Sequence, residues 1–295
     1  DLQLIAEFKE QKKKYYTVQG IPLSQRIKKG AFLDANSTNH FKFSQLTVVS
    51  NLFHQNRIKD GDIFFVSDLW FPGLEAIPYM AYFNKVKVKI MGLLHAGSFT
   101  PTDFVANMSP WASWIETGWL AFTDKVFVGS NQIKHDLISS GRVVNFGQLY
   151  KTGLPFDSSY CYKQAPFVPW KKRKDVVIFA GRLDDEKQPW IFDRLKSKFD
   201  DVEFVKTFDL KLTKSEYFKL LSYSKVMFSA ALQENFGYGC LEACAYGLNL
   251  VVPDRLSYTD LYPSECRYSD FTEAKRLVER FLNQDNSQMM VSIAN

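Results

Sequence analysis

Short runs of β-branched and aromatic residues alternate with segments of helical period along almost the whole chain. Candidate strands are the apolar runs at 62–66, 88–94, 125–129, 175–180, 202–206, 225–230 and 248–253. Between them apolar residues recur at helical spacing over 41–57, 74–84, 110–121, 131–139, 188–199, 213–223, 238–246 and 271–283. Strands separated by helices predict parallel sheets joined by crossover helices. One stretch interrupts the rhythm. DSSYCYKQAPFVPWKKRK (157–174) carries Pro166 and Pro169, then four basic residues, and reads as an interdomain linker. At 295 residues the chain is long for a single compact core. The predicted architecture is α/β: two Rossmann-like, doubly wound domains, an N-terminal one over 1–165 and a C-terminal one over 166–295. Both sheets are expected to turn their carboxyl ends to a shared cleft, where ligands of such sheets bind. The last helix has room to pack back on the first domain.

Composition narrows the class. Hydrophobic content of 46% with 23% charged residues belongs to an ordinary globular chain and excludes a disordered one. No apolar run approaches the roughly 20 residues of a membrane-spanning helix, and the opening DLQLIAEFKEQKKK does not read as a signal peptide. Cys240 and Cys244 share a helical face, but no second pair and no nearby His completes a zinc site; Cys161 and Cys266 stand apart. Buried thiols in a reducing cytoplasm are expected, the host's own cytoplasm if the source is viral. The formal charge of +5 gathers at Lys12, Lys13 and Lys14, at Lys28 and Lys29, at Lys85, Lys87 and Lys89, and at Lys171, Lys172, Arg173 and Lys174. These clusters read as solvated faces or as a contact for a polyanion. KVKVKI sets its lysines on one side of a strand and Val86, Val88 and Ile90 on the other, which also suits a defended sheet edge.

Two segments carry candidate chemistry. In DVVIFAGRLDDEKQPW a buried strand ends at Ala180, Gly181 permits a tight exit, and Arg182 projects from the sheet's carboxyl end. Lys187 falls at the start of the next helix, where the macrodipole disfavours a cation unless an anion joins it. Pairing of both cations with Asp184, Asp185 and Glu186 explains the segment equally well. The second segment is LQENFGYGCLEACAYG (232–247). Gly237 and Gly239 lie at a loop-to-helix junction, where missing side chains let a ligand reach backbone amides. Glu234 is on the loop and Glu242 in the helix, so one polar ligand spanning the junction could meet both carboxylates.

Taken together, GRL with Lys187 and then ENFGYGCLEACAYGLNLVV resemble the carboxyl-terminal domain of retaining GT-B glycosyltransferases of the family 4 type. The shared pattern is Glu, seven residues and Glu, with Phe-Gly after the first Glu and Glu-Ala at the second, over Gly181 to Pro253. The resemblance implies that Arg182 and Lys187 neutralise the diphosphate of a UDP- or GDP-linked sugar and stabilise it as leaving group. It implies that Glu234 binds donor-sugar hydroxyls, helped by Gly181 and by backbone around Asn235, Phe236 and Gly237, and that Glu242 takes the ribose hydroxyls. His95, at the end of KIMGLLHAGSF, matches a family histidine that faces the donor sugar; a capping or core role explains it too. Asp68 and Ser98 are the acceptor-side candidates, with an Asx turn the other reading of Asp68. The glycine-rich loop usual after the first strand has only KYYTVQGIPLSQ, with Gly20, as a counterpart.

The donor would be a nucleotide sugar, with no other cofactor. Asp184, Asp185, Asp200 and Asp201 superficially resemble the metal-binding acids of the other glycosyltransferase fold, but they lack partner ligands, and no essential metal is expected. HAGSF and DLWFPG are similar to segments of enzymes that glycosylate modified bases, as in phage DNA hypermodification or tRNA. A nucleic-acid acceptor follows as the expectation, with Trp70, Phe71 and Phe99 available for stacking on an extruded base. The alternatives are a transferase of polysaccharide or small-glycoside synthesis, and a catalytically inactive nucleic-acid-binding subunit. Oligomeric state is open at this level.

Overall fold

The computed structural model describes residues 2–23, 35–101, 103, 105–143 and 145–295. Lys28 and Lys29 lie outside the described residues. Two compact units divide the chain: residues up to Gly129 with Ile133–Gly153, and Ser130–Gln132 with Leu154–Asn295.

In the first unit, α1 (Leu2–Glu10) and α2 (Ala35–His54) precede a four-stranded sheet. Its strands β1 (Ile63–Val66), β2 (Lys89–Leu94), β3 (Lys125–Val128) and β4 (Leu149–Lys151) are all parallel and follow chain order across the sheet. The crossovers are α3 (Ala76–Phe83), α4 (Ser109–Phe122) and α5 (Asn131–Ser139). Right-handed crossovers stepping in one direction put their helices on one face. One core accordingly joins Phe53, Ile77, Trp119 and Ile133 to Ile90 and Val126 of the sheet. On the opposite face the rings of Phe65, Phe127 and Tyr150 form a ladder, 6.1 and 5.9 Å between centroids. β2 lies between β1 and β3, so the KVKVKI lysines do not defend a sheet edge. Only Lys89 of the three is in the strand, beside Ile63 of β1.

The Gly20 segment is no phosphate loop. It follows α1 rather than a strand and is pinned along α2: Ile21 N donates to Ser44 Oγ (2.7 Å) and Gln45 Nε2 to Val18 O (2.9 Å). A Cβ at Gly20 would collide with the carbonyl oxygen of Phe41, so glycine is there for helix contact.

The second unit runs α6 (Ser158–Gln164), β5 (Val176–Phe179), α7 (Pro189–Lys196), β6 (Glu203–Lys206), α8 (Lys214–Tyr223), β7 (Val226–Phe228), α9 (Tyr238–Ala245), β8 (Asn249–Pro253), α10 (Tyr258–Leu261), β9 (Arg267–Tyr268), α11 (Phe271–Asn283) and α12 (Ser287–Ala294). Its parallel sheet has the order β6-β5-β7-β8-β9. β5 and β8 are buried throughout, as unbroken apolar runs require of strands covered on both faces. From β5 the chain steps to β6, then returns to the other side for β7. The switch point therefore falls between β5 and β7, where open sheets receive their ligands.

The expected linker is part of this unit. Cys161 and Ala165 enter its core, and Tyr162 Oη donates to Ala245 O at 2.8 Å. Tyr246 Oη bonds the carbonyls of Cys161 and of Ala165 (3.1 Å) in return. Arg173, read as one of a basic run, is buried and donates to Val168 O (2.9 Å), Gly247 O (3.0 Å) and Tyr246 O (2.5 Å). It thereby caps the orphan carbonyls at the end of α9. Burial pulls its pKa down to about 10, so it stays charged at neutral pH. The last helix, which the sequence leaves room to pack back on the first domain, belongs to the second unit and packs on α9 through Met290 and Ala294.

Candidate functional site

The loops after β5 and β7 flank the switch point, and both carry the predicted donor residues. Past Gly181, Arg182 Nη1 lies 3.0 Å from Asp184 Oδ2 and Nη2 lies 2.6 Å from Glu186 Oε1. Asp185–Lys187 form a 3-10 turn, Gln188 takes a left-handed φ of 49°, and only then does Pro189 open α7. Lys187 thus stands before the helix, and the macrodipole argument for a joining anion falls away. Its anionic partners belong to the protein. The ammonium, largely buried, bonds Gln233 O and lies 3.3 Å from Glu234 Oε2 and 3.9 Å from Glu186 Oε1. Glu186 Oε1 faces both cations and gathers them at one point.

The β7 loop is fixed from several sides. Leu232 N donates to Glu186 O (2.7 Å), tying it to the β5 loop. Arg255, just past β8, donates to Ala230 O and Ala231 O, each at 3.1 Å, and to Gln188 Oε1 at 3.2 Å. Ser257 Oγ donates to Glu234 O at 3.1 Å. Gly237 is the N-cap of α9 with φ 79° and ψ 55°, a conformation that disfavours a Cβ. Phe236 is buried, its ring 5.4 Å from that of Tyr238, so it can offer only backbone to a ligand. Among the described residues, the amides of Asn235 to Gly239 donate to no protein acceptor. They leave a run of open N–H groups at the start of α9, an arrangement suited to phosphate.

Glu242 is in the second turn of α9. Tyr217 Oη donates to its Oε2 at 2.9 Å, and Lys214 Nζ lies 3.6 Å from Oε1. Burial pushes its pKa up, against the opposing pull of Lys214 and the Tyr217 hydroxyl. A carboxyl raised in the folded state gives stability that is full below its unfolded pKa near 4.5 and is lost as pH rises through the folded value. Glu242→Gln, which mimics the protonated form, should gain stability relative to the parent as pH rises from 4 toward neutrality. Urea unfolding across that range checks this; a constant difference between the two proteins would refute it.

In the first unit, His95 directly follows β2 and its Nε2 donates to Ser67 O at 3.0 Å. Asp68 forms the Asx turn, with Oδ1 accepting from Trp70 N at 3.1 Å, while Oδ2 pairs with Lys42 Nζ at 2.9 Å. Ser98 is not exposed to an acceptor. It is buried, donates N–H and Oγ–H to Glu116 (2.7 and 2.8 Å), and accepts from Arg142 Nη2 at 3.1 Å. Glu116 also accepts from Trp70 Nε1 at 2.9 Å. Arg142 Nε is 2.8 Å from Glu116 Oε2, an ion pair though off line for a hydrogen bond. Phe71 and Phe99 are buried as well.

Sequence reasoning missed Arg255, Ser257, Tyr217 and Glu116. Arg255 could have been found as the first cation beyond a strand's carboxyl end, and Glu116 as the sole charge in SPWASWIETGWLAF. Tyr217 left no such trace, being one more aromatic on an ordinary helix. Among the described residues no three His, Cys, Asp or Glu gather as metal ligands, and no helix is long and apolar enough to cross a membrane.

No protein-family model matches the chain, and no curated protein sequence does. Solved structures match its fold. A UDP-forming trehalose-phosphate synthase from Burkholderia xenovorans is 14% identical, with a TM-score of 0.62 over 91% of this chain and 75% of that one. The E. coli trehalose-6-phosphate protein bound to UDP-2-fluoroglucose is 12% identical, with a TM-score of 0.63 over the same shares. HepE from Anabaena, in complex with UDP, is 12% identical with a TM-score of 0.61, over 84% of this chain and 75% of its own. The fold that this chain shares with these neighbours is GT-B.

Proposed function

We propose that the protein is a retaining glycosyltransferase that takes its sugar from a UDP-linked donor. One observation carries the reading. At the switch point of the second sheet, Glu186 joins Arg182 to Lys187, Lys187 meets Glu234, and the open amides lead into α9, with Glu242 in that helix's second turn. The cations and amides suit a diphosphate, Glu234 suits sugar hydroxyls, and Glu242 suits the ribose. The fold shared with UDP-binding neighbours supports the same donor class.

In the transfer, the anomeric C–O bond to phosphate breaks as the acceptor oxygen bonds the same face of the sugar. The departing phosphate oxygen takes the acceptor's proton, and the diphosphate leaves as UDP. The negative charge developing on it is met by Arg182, Lys187 and the N–H groups. The acceptor in this reading is a hydroxylated base of DNA or a modified base of tRNA, supported by the exposed lysines at 85, 87, 171 and 172. Incubation with radiolabelled UDP-glucose or GDP-mannose, with and without hydroxymethylated DNA or tRNA, tests each part. Label on nucleic acid from the UDP sugar is expected. Donor hydrolysis without transfer refutes the acceptor, label from the GDP sugar alone refutes the donor, and no turnover with any combination refutes the enzyme.

A further inference from the structure

Tyr217 stands where α8 meets the candidate donor site. The capping box of Thr213 and Glu216 fixes the first turn of that helix, which carries Lys214 and leads into Tyr217. The Tyr217 ring lies against the core of the second unit, 5.3 Å from the ring of Phe218. Its hydroxyl donates to Glu242 Oε2 at 2.9 Å. A Cβ built on Gly239 would lie 3.6 Å from Ala180 Cβ and 3.9 Å from the Tyr217 hydroxyl. The hydroxyl is therefore close to the point where the exit of β5 meets the first turn of α9, beside the open amide of Gly239.

Glu242 is the costly member of the pair. Its side chain is 17% exposed, and a carboxylate held out of water costs stability unless its oxygens are bonded. Glutamine would keep an oxygen for the Tyr217 hydroxyl with no charge to bury, so packing alone does not ask for an acid here. A ligand that donates hydrogen bonds does, because an ionised acceptor binds hydroxyls more strongly than a neutral amide. The two groups that hold the acid differ in kind. Lys214 is 58% exposed and carries its ammonium on a long flexible stem, 3.6 Å from Oε1. Tyr217 is fixed by its packed ring. Lys214 can give way to a ligand at Oε1 while Tyr217 keeps Oε2 in place. The Tyr217 hydroxyl also opposes the burial that pushes the Glu242 pKa up, and so favours the ionised acceptor.

We infer that Tyr217 is a positioning residue of the donor site: through Glu242 it sets how strongly the protein prefers a ribonucleotide to the same nucleotide without its ribose hydroxyls. This role rests on Glu242 being the ribose contact, as proposed above.

Calorimetric binding of UDP and of 2′,3′-dideoxy-UDP to the full chain, to Tyr217→Phe and to Glu242→Ala tests the role. The parent should bind UDP at least about tenfold tighter than the dideoxy compound, the worth of one hydrogen bond to a charged group. Glu242→Ala should lose that preference. Tyr217→Phe keeps the ring and should lower the preference roughly threefold to tenfold, with its affinity for the dideoxy compound and its far-UV circular dichroism unchanged. A Tyr217→Phe variant with the parent's preference overturns the role of Tyr217 and leaves the ribose reading standing. An equal loss for both ligands, or a variant that does not fold, overturns it by making the hydroxyl a structural support of α9. A parent that binds both ligands alike overturns it together with the ribose reading. A parent that binds neither overturns the donor class as well.

Discussion

Lys187→Met is expected to lower sugar transfer by roughly 10²–10³-fold in kcat, the usual loss when one preorganised charge-stabilising donor is removed. The methionine keeps most of the aliphatic stem, so what disappears is the ammonium beside Glu234, Gln233 and Glu186. The loss should fall on kcat because negative charge on the diphosphate grows as the bond to the sugar breaks. Folding should be almost untouched, since the carboxylates left behind reach solvent and Glu186 keeps Arg182. Turnover and melting temperature, measured on one preparation, separate the two effects. Near-normal turnover would remove Lys187 from the reaction, and a collapse in melting temperature would make it a structural residue.

The second large effect lies in the other unit and is one of stability. Glu116→Ala should cost about 3–5 kcal/mol, because it leaves a buried guanidinium without its counter-charge. Arg142 is 7% exposed at its side chain and Glu116 4%, so water cannot take the place of either partner. The substitution also strands the donors of Ser98 and Trp70. Replacing both members by methionine should recover only the part due to the unpaired guanidinium, since the donors of Ser98 and Trp70 stay without their acceptor. Urea unfolding of the parent, Glu116→Ala and the double methionine variant decides the matter. A single-variant loss of no more than about 1 kcal/mol, typical of ordinary substitutions, would show that the pair is effectively solvated.

The second sheet was legible because its physics is local. Buried parallel strands write themselves as unbroken apolar runs, and the candidate donor residues sit at fixed offsets from two of them. Glu234 and Glu242 were visible for that reason, and α11 was read at its full extent. What escaped depended on partners distant in sequence. Ser98 looked like an exposed hydroxyl after a strand until Glu116 and Arg142, brought in from α4 and beyond α5, closed over it. Residues 157–174 looked like a linker because prolines and lysines are the local signal. Their anchors, Ala245, Tyr246 and Gly247, lie more than seventy positions away. β4 and β9 have three and two residues, too few to show any period. The sequence leaves the two cations with two equal readings, an external anion or the acids beside them, and the structure shows the second in place, each cation already holding a carboxylate of the protein. Any diphosphate must compete with Asp184, Glu186 and Glu234 for them.

Arg173 has a practical consequence for anyone probing nucleic-acid binding by charge neutralisation. The basic run at 171–174 invites replacement as a block, and the block variant would lose binding whatever its true role. Its third member is a clamp on the far end of the helix that presents Glu242 and the open amides. Only Lys171, Lys172 and Lys174 report on surface charge, and an alanine scan that pools all four would mistake a loosened helix for a lost phosphate contact.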